Sequence, residues 1–328
     1  MFILLSLAWA QELPPIVGGS ETSAYTEVGA IVAIHPQGYG ASFCSGTLIH
    51  RYWVLTAAHC IYGSDAAQDM SNQGYDIYFV TAKDVYNAGY NDFHEIHPQK
   101  MIPHPSYDGY DIEHDIGLFQ LSYPIDDKDP VPLGTTYSLF TNEDIIYVGY
   151  GITGDGREDS GVRRTATVPY YHYDSMFLYT NDPTGQSNIC SGDSGGAALV
   201  ENGNGYIIVG VNSFGFDLSG GQPTCEGPNA AAGATRVDQY IDFIESNVGN
   251  INTDGGGGGS NGGGGNGNGS GNGGSNPVID NWEPPLAADD YGVVDIPAPA
   301  GACQTASADA AWGMALLSLF GLVRRRRE

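Results

Sequence analysis

Short apolar runs separated by glycine, asparagine and aspartate constrain this chain more than any other feature. They fall at 30–34, 43–49, 77–80, 116–121, 145–148, 197–200 and 206–211. Each is short for a helix and rich in residues that suit a pleated, half-buried surface. Many short strands between turn residues make a barrel or a sandwich, so residues 16–248 read as all-β. One segment departs from the pattern. Ile241, Ile244 and Val248 share a helical face, with Asp238 placed to cap the helix.

The remaining chain reads differently. The sequence has 328 residues, room for one domain of ~200–250 residues with a sizeable core. Many of its 48 glycines lie between 255 and 274. Residues 250–301 are rich in Gly, Asn and Pro and bury no apolar surface, so they form a flexible linker. Residues 302–328 hold Cys303, an apolar stretch from 310 to 323 and four arginines at 324–327. That stretch makes a short hydrophobic helix near the lower limit for crossing a membrane, with a cytoplasmic stop behind it. The first ten residues are apolar and end Ala8-Trp9-Ala10, a signal-peptidase pattern without the usual positive start.

Export favours disulfides among Cys44, Cys60, Cys190 and Cys225, and four cysteines leave three pairings open. The formal net charge is −26. Such a field repels nucleic acid and anionic membranes and keeps an exported protein soluble.

Three segments carry chemistry. Gly192-Asp193-Ser194-Gly195-Gly196 sets a serine between glycines. Glycines let the backbone turn tightly, so the N–H groups of Gly192 and Ser194 can donate to an oxyanion. A serine hydroxyl needs a base, and Thr56-Ala57-Ala58-His59-Cys60 offers an imidazole beside a cysteine that can be tethered. His114-Asp115-Ile116-Gly117-Leu118 places an acid at the mouth of an apolar strand, suited to orient that imidazole. The histidines His94, His97, His104 and His114 lie close in sequence and could suggest a metal site, but no metal is expected. No cofactor is expected.

Together these segments resemble the chymotrypsin/trypsin-like serine peptidases over residues 16–248. Ile16-Val17-Gly18-Gly19 is similar to the family's mature N-terminus. Ser45-Gly46-Thr47-Leu48-Ile49 and Trp53 to Cys60 are similar to the strands leading to its histidine. Ser213-Phe214-Gly215 resembles the substrate-binding strand, with Phe214 where Trp is usual. His104-Pro105-Ser106-Tyr107-Asp108 resembles the segment leading to the aspartate.

The resemblance implies two six-stranded antiparallel β-barrels and a peptidase domain at 16–249. It implies catalysis by His59, Asp115 and Ser194, and the pairs Cys44–Cys60 and Cys190–Cys225. One family disulfide has no counterpart, since no cysteine lies between Cys60 and Cys190, which implies a more mobile loop before the nucleophile. It implies that residues 11–15 are a propeptide and that a freed Ile16 ammonium pairs with Asp193. Pro14-Pro15 offers no basic residue, so a processing peptidase other than a trypsin-like one is expected. At the pocket base stands Asn188, followed by Ile189, in place of the tryptic Asp, so the expected preference is for uncharged, small or medium apolar residues in protein or peptide substrates.

The last 26 residues resemble the tripartite sorting tails of some Gram-negative bacteria, closest to the myxobacterial MYXO-CTERM type. That implies cleavage near Cys303 by sorting machinery. The protein is then an exported monomer, held at the cell surface or outer membrane, or released. A retained membrane anchor is the alternative for the tail. Two other classes fit parts of the sequence: an inactive peptidase-like binding module, and an adhesin with a Gly-rich stalk.

Overall fold

The apolar runs form strands, and most strands extend beyond them. The computed structural model describes residues 16–110, 112–134, 143–203 and 205–253. The first half holds β1 (Ser20–Glu21), β2 (Val28–Ile34), β3 (Gly40–His50), β4 (Trp53–Thr56), β5 (Asp76–Val80), β6 (Phe93–Pro103) and β7 (Gly117–Leu121), with a short helix α1 (Ala67–Asn72) before β5. The second half holds β8 (Asp144–Gly149), β9 (Arg164–Tyr173), β10 (Phe177–Asn181), β11 (Ala197–Glu201), β12 (Tyr206–Asp217) and β13 (Ala230–Arg236), then helix α2 (Ile241–Val248).

The described strands pair with one another antiparallel. The order β2-β3-β4-β7-β6-β5 closes one six-stranded barrel. The order β9-β10-β13-β12-β11-β8 closes the second through the β8–β9 pairing, and β1 adds to the outer edge of β9. Closure leaves few free edges. Phe79, Leu118 and Phe119 fill the first barrel and Tyr147, Val168 and Ile207 the second. The first core continues through Val148, Leu199, Ile208 and Val211 to Ile244 of α2. One apolar cluster therefore joins both barrels and the helix.

The helix face is as expected, with Ile244 fully buried and Ile241 and Val248 packed beside it. The cap is not. The helix starts after Tyr240, and no side chain caps it. Asp238 instead takes the Arg236 guanidinium, with Nε donating to Oδ1 at 3.0 Å and Nη2 to Oδ2. A two-pronged charged contact outcompetes a single N–H.

Cys44 bonds Cys60, and Cys190 bonds Cys225. The β9–β10 turn carries no disulfide. Asp174 closes it instead, accepting the Met176 and Phe177 amides at 2.7 and 2.8 Å and the Tyr179 hydroxyl at 2.7 Å. Among the described residues no helix is long and apolar enough to cross a membrane. The signal, propeptide, tail and Cys303, with all but the first residues of the linker, lie outside the described residues.

Candidate active site

His59 lies just past the end of β4. The chain leaves Thr56, passes an extended Ala57 and enters a 3-10 turn at Ala58–Cys60. The disulfide ties that turn to Cys44 on β3. Asp115 lies just before β7, after His114 in the left-handed region at φ 58°, and is completely buried.

The two side chains meet. His59 Nδ1 is 2.7 Å from Asp115 Oδ2, and the His59 amide donates to Oδ1 at 2.9 Å. Ser213, expected on the substrate strand, also donates its hydroxyl to Oδ2. Thr235 Oγ1 donates to the Asp115 carbonyl at 2.8 Å. The second barrel thus clamps an acid carried by the first. A carboxylate at Nδ1 holds the proton there and leaves Nε2 as the basic nitrogen. Nε2 is buried and has no hydrogen-bond partner among the described residues. Burial pulls the His59 pKa down, but the charge and hydrogen bond of Asp115 outweigh it, so the pKa lies above the ordinary histidine value.

The nucleophile loop packs against the same turn. The Ser194 carbonyl accepts the Ser45 amide at 2.8 Å and lies 3.6 Å from Cys60 Sγ, next to His59 in sequence. Ser45 Oγ donates to the Gly192 carbonyl at 2.9 Å and accepts the Tyr150 amide at 3.0 Å. Gly192 and Gly195 adopt φ of 93° and 80°, where glycine is favoured. A Cβ on Gly195 would collide with Thr56 Oγ1 and the Ser45 carbonyl. Ser45 was not singled out in the sequence; only its place in the Ser45-Gly46-Thr47 strand motif pointed to it.

Asp193 is fully buried under this loop. Its carboxylate accepts the Gly151 amide at 2.8 Å and the Cys190 amide at 2.9 Å. Burial pushes its pKa up to about 6, against the pull of those hydrogen bonds and of Arg164. Cβ atoms on Gly149 or Gly151 would strike this carboxylate. Ile16 is also fully buried.

Asn188 is buried, and its amide donates to the Val17 carbonyl at 3.0 Å. Its Oδ1 accepts the Ile189 amide at 2.9 Å. Ile189 and Ala232 belong to the second barrel's core. Phe214 and Gly215 pair with Gly233 and Ala232 across β12–β13. A cleft of about 540 Å³ opens beside them, lined by Ile112, Tyr171, His172, Asp174, Tyr179, Phe214 and Phe216. The sequence reading missed its aromatic wall, which strands β9, β10 and β12 assemble. Glu226 turns towards Arg157, at 4.0 Å.

The described groups with three close potential metal ligands rely on disulfide cysteines, which offer no thiolate. His104 and His114 stack at 5.0 Å, whereas His94 pairs with Thr81 at 3.2 Å.

Comparison with known proteins agrees with this geometry. The family model described as Trypsin matches residues 16–244. The chain is similar to the clotting factor G beta subunit of Tachypleus tridentatus, at 30% identity over 62% of this chain and 70% of that protein. It is similar to a tryptase of Mus musculus, at 29% identity over 71% of this chain and 88% of that protein. It is similar to a trypsin of Phaedon cochleariae, at 27% identity over 62% and 77%. A buried acid on an imidazole, a glycine-flanked serine and a family match across both barrels lead to one conclusion: the chain belongs to the trypsin family and is a serine endopeptidase.

Proposed function

We propose that Ser194 attacks the scissile carbonyl, His59 takes its proton through Nε2, and Asp115 orients and stabilises the resulting imidazolium. His59 then protonates the leaving amine, and water resolves the acyl-enzyme by the same route. The Gly192 and Ser194 amides receive the oxyanion. The observation that carries this reading is the His59 ring, bonded at Nδ1 to a buried Asp115 and left with an unpartnered, buried Nε2.

The enzyme works on an uncharged, small or medium apolar residue before the scissile bond. Asn188 is buried and brings no charge to a Lys or Arg, and the neighbouring Ile189 is apolar. Glu226, turned to Arg157, does not supply the missing charge. Ser213, Phe214 and Gly215 line the substrate strand. Freeing Ile16 after Pro15 by a non-tryptic processing peptidase places its ammonium by Asp193 and completes the oxyanion loop. Residues 1–10 direct export, and residues 302–328 carry a monomer to the cell envelope, where cleavage at Cys303 or retention decides between attachment and anchoring.

Peptide-library hydrolysis by the secreted protein tests this reading, with Ser194→Ala as control. Cleavage after Ala, Val or Leu should exceed cleavage after Arg, and Ser194→Ala should lower kcat by about 10⁶-fold. A tenfold preference for Arg, about 1.4 kcal/mol, overturns the specificity. Unchanged hydrolysis by Ser194→Ala overturns the mechanism.

A further inference from the structure

Arg164 is only 5 % exposed. Among the described residues it forms no ion pair, and its Nε is buried without a partner. Guanidinium groups are seldom buried unless paired. This one is spent on two backbone carbonyls. Its Nη1 donates to Gly151 at 2.9 Å and to Asp159 at 2.7 Å. Those carbonyls stand at the two ends of one surface loop, whose interior is tied by Thr153 donating from N and Oγ1 to the Asp159 carboxylate at 3.0 and 2.6 Å.

The leading end of that loop holds the nucleophile segment. The Gly151 amide donates to Asp193 Oδ1 at 2.8 Å, and the Ile152 amide donates to the Ser191 carbonyl at 2.8 Å. The peptide group that receives Arg164 is the one that grips Ser191. A cation on its carbonyl polarises that peptide and strengthens its N–H as a donor. Across β8–β9, Arg164 lies opposite Gly149, whose missing side chain leaves room for the Asp193 carboxylate.

We propose that Arg164 is a positioning residue for the oxyanion loop: through Gly151 and Ile152 it fixes Ser191 and Asp193, and so the Gly192 and Ser194 amides between and beside them. The inference rests on the serine-peptidase mechanism proposed above. Its positive charge also favours ionised Asp193. The charged groups around Asp193 are Arg164, Asp159 and, once freed as proposed above, the Ile16 ammonium; those around Arg164 are Asp159, Asp193, Asp84 and Glu21, the last paired with Lys83 at 2.7 Å. Loss of Arg164 leaves the Ile16 ammonium as the cation facing Asp193.

The test compares kcat, KM and their pH profiles for the secreted wild type, Arg164→Met and Arg164→Lys on one peptide substrate. A thermal melt checks that each variant folds. Arg164→Met should lose about tenfold or more in kcat, with KM changing less, because donors to the oxyanion act in the transition state. The acid limb belongs to His59, whose pKa lies above the ordinary histidine value, so it should stay in place. Arg164→Lys restores the charge without the two-carbonyl grip, so it should recover part of kcat with KM again changing less. If Arg164→Met fails to fold, the kcat-against-KM split in Arg164→Lys decides. An Arg164→Met enzyme with wild-type kcat overturns the inference, as does an Arg164→Met enzyme that loses KM and kcat alike. A wild type that neither hydrolyses peptides nor labels at Ser194 overturns the parent mechanism and takes this inference with it.

Discussion

The two barrels hold their acids in opposite ways. On the first barrel, Asp115 gathers the His59 ring, the His59 amide and the Ser213 hydroxyl on its carboxylate. In the proposed mechanism its negative charge faces a ring that becomes positive during the reaction. On the second barrel, Asp193 has two backbone amides and no ion pair among the described residues. Its pKa is pushed up to about 6 by burial. The first arrangement is complete as it stands. The second is a buried charge that stays costly until a cation arrives. The base side of the site is therefore built to be rigid, and the nucleophile side to respond to a counter-charge.

That contrast can be broken first at Asp115. Asp115→Asn keeps shape and burial but removes the charge that fixes the tautomer. The expected loss in kcat at neutral pH is about 10⁴-fold, the size of this exchange in the family's reference triad. Steady-state kinetics with a melting curve checks it, and activity should fall far more than stability.

Next in size is Gly195→Ala, which tests how tightly the second barrel's loop fits the first barrel. The new Cβ meets Thr56 Oγ1 and the Ser45 carbonyl at φ 80°. The expected cost is about 3 kcal/mol or more in unfolding free energy, or failure to fold. Gly215→Ala would bring its new Cβ only to ordinary van der Waals contact, 3.7 Å from the Ala231 carbonyl. It should cost less than about 1 kcal/mol and act on KM instead. Chemical denaturation of both variants separates the two outcomes.

A smaller effect sharpens the comparison through pH. A carboxyl whose folded pKa exceeds its unfolded value binds its proton more tightly in the folded state. The stability Asp193 contributes is therefore fully present below about pH 4 and is lost as pH rises through about 6. The fall amounts to about 3 kcal/mol at most. Unfolding free energies at pH 4 and pH 7 should show this fall before Ile16 is freed, a shallower one afterwards, and none from this group in Asp193→Asn.

Much of this was legible in the sequence. The apolar runs located seven strands, and the tethered histidine and the acid before β7 marked two residues that the fold brings into contact. Strand β4 was legible through the resemblance at Trp53 to Cys60, and three others were missed for physical reasons. Strand β9 alternates buried Arg164, Ala166, Val168 and Tyr170 with more exposed partners, so it has the period of a strand without an apolar block. Strand β13 is mostly alanine, with little intrinsic strand preference. Strand β6 buries only Ile96 and Met101 around a register shift. At the site, the roles of Ser213, Thr235, Ser45 and Arg164 arise from contacts between residues far apart in the chain, which a local pattern does not carry. Asp238 was misread because Arg236, two residues before it, competes for its carboxylate.

The most direct measurement is the rate at which a fluorophosphonate labels the secreted protein across pH, with the labelled residue identified by mass spectrometry. Labelling should fall on Ser194, rise with pH through a midpoint above the ordinary histidine value of about 6.5, and disappear in Ser194→Ala and His59→Ala. Labelling at another residue, or a rate unchanged in His59→Ala, would contradict the account.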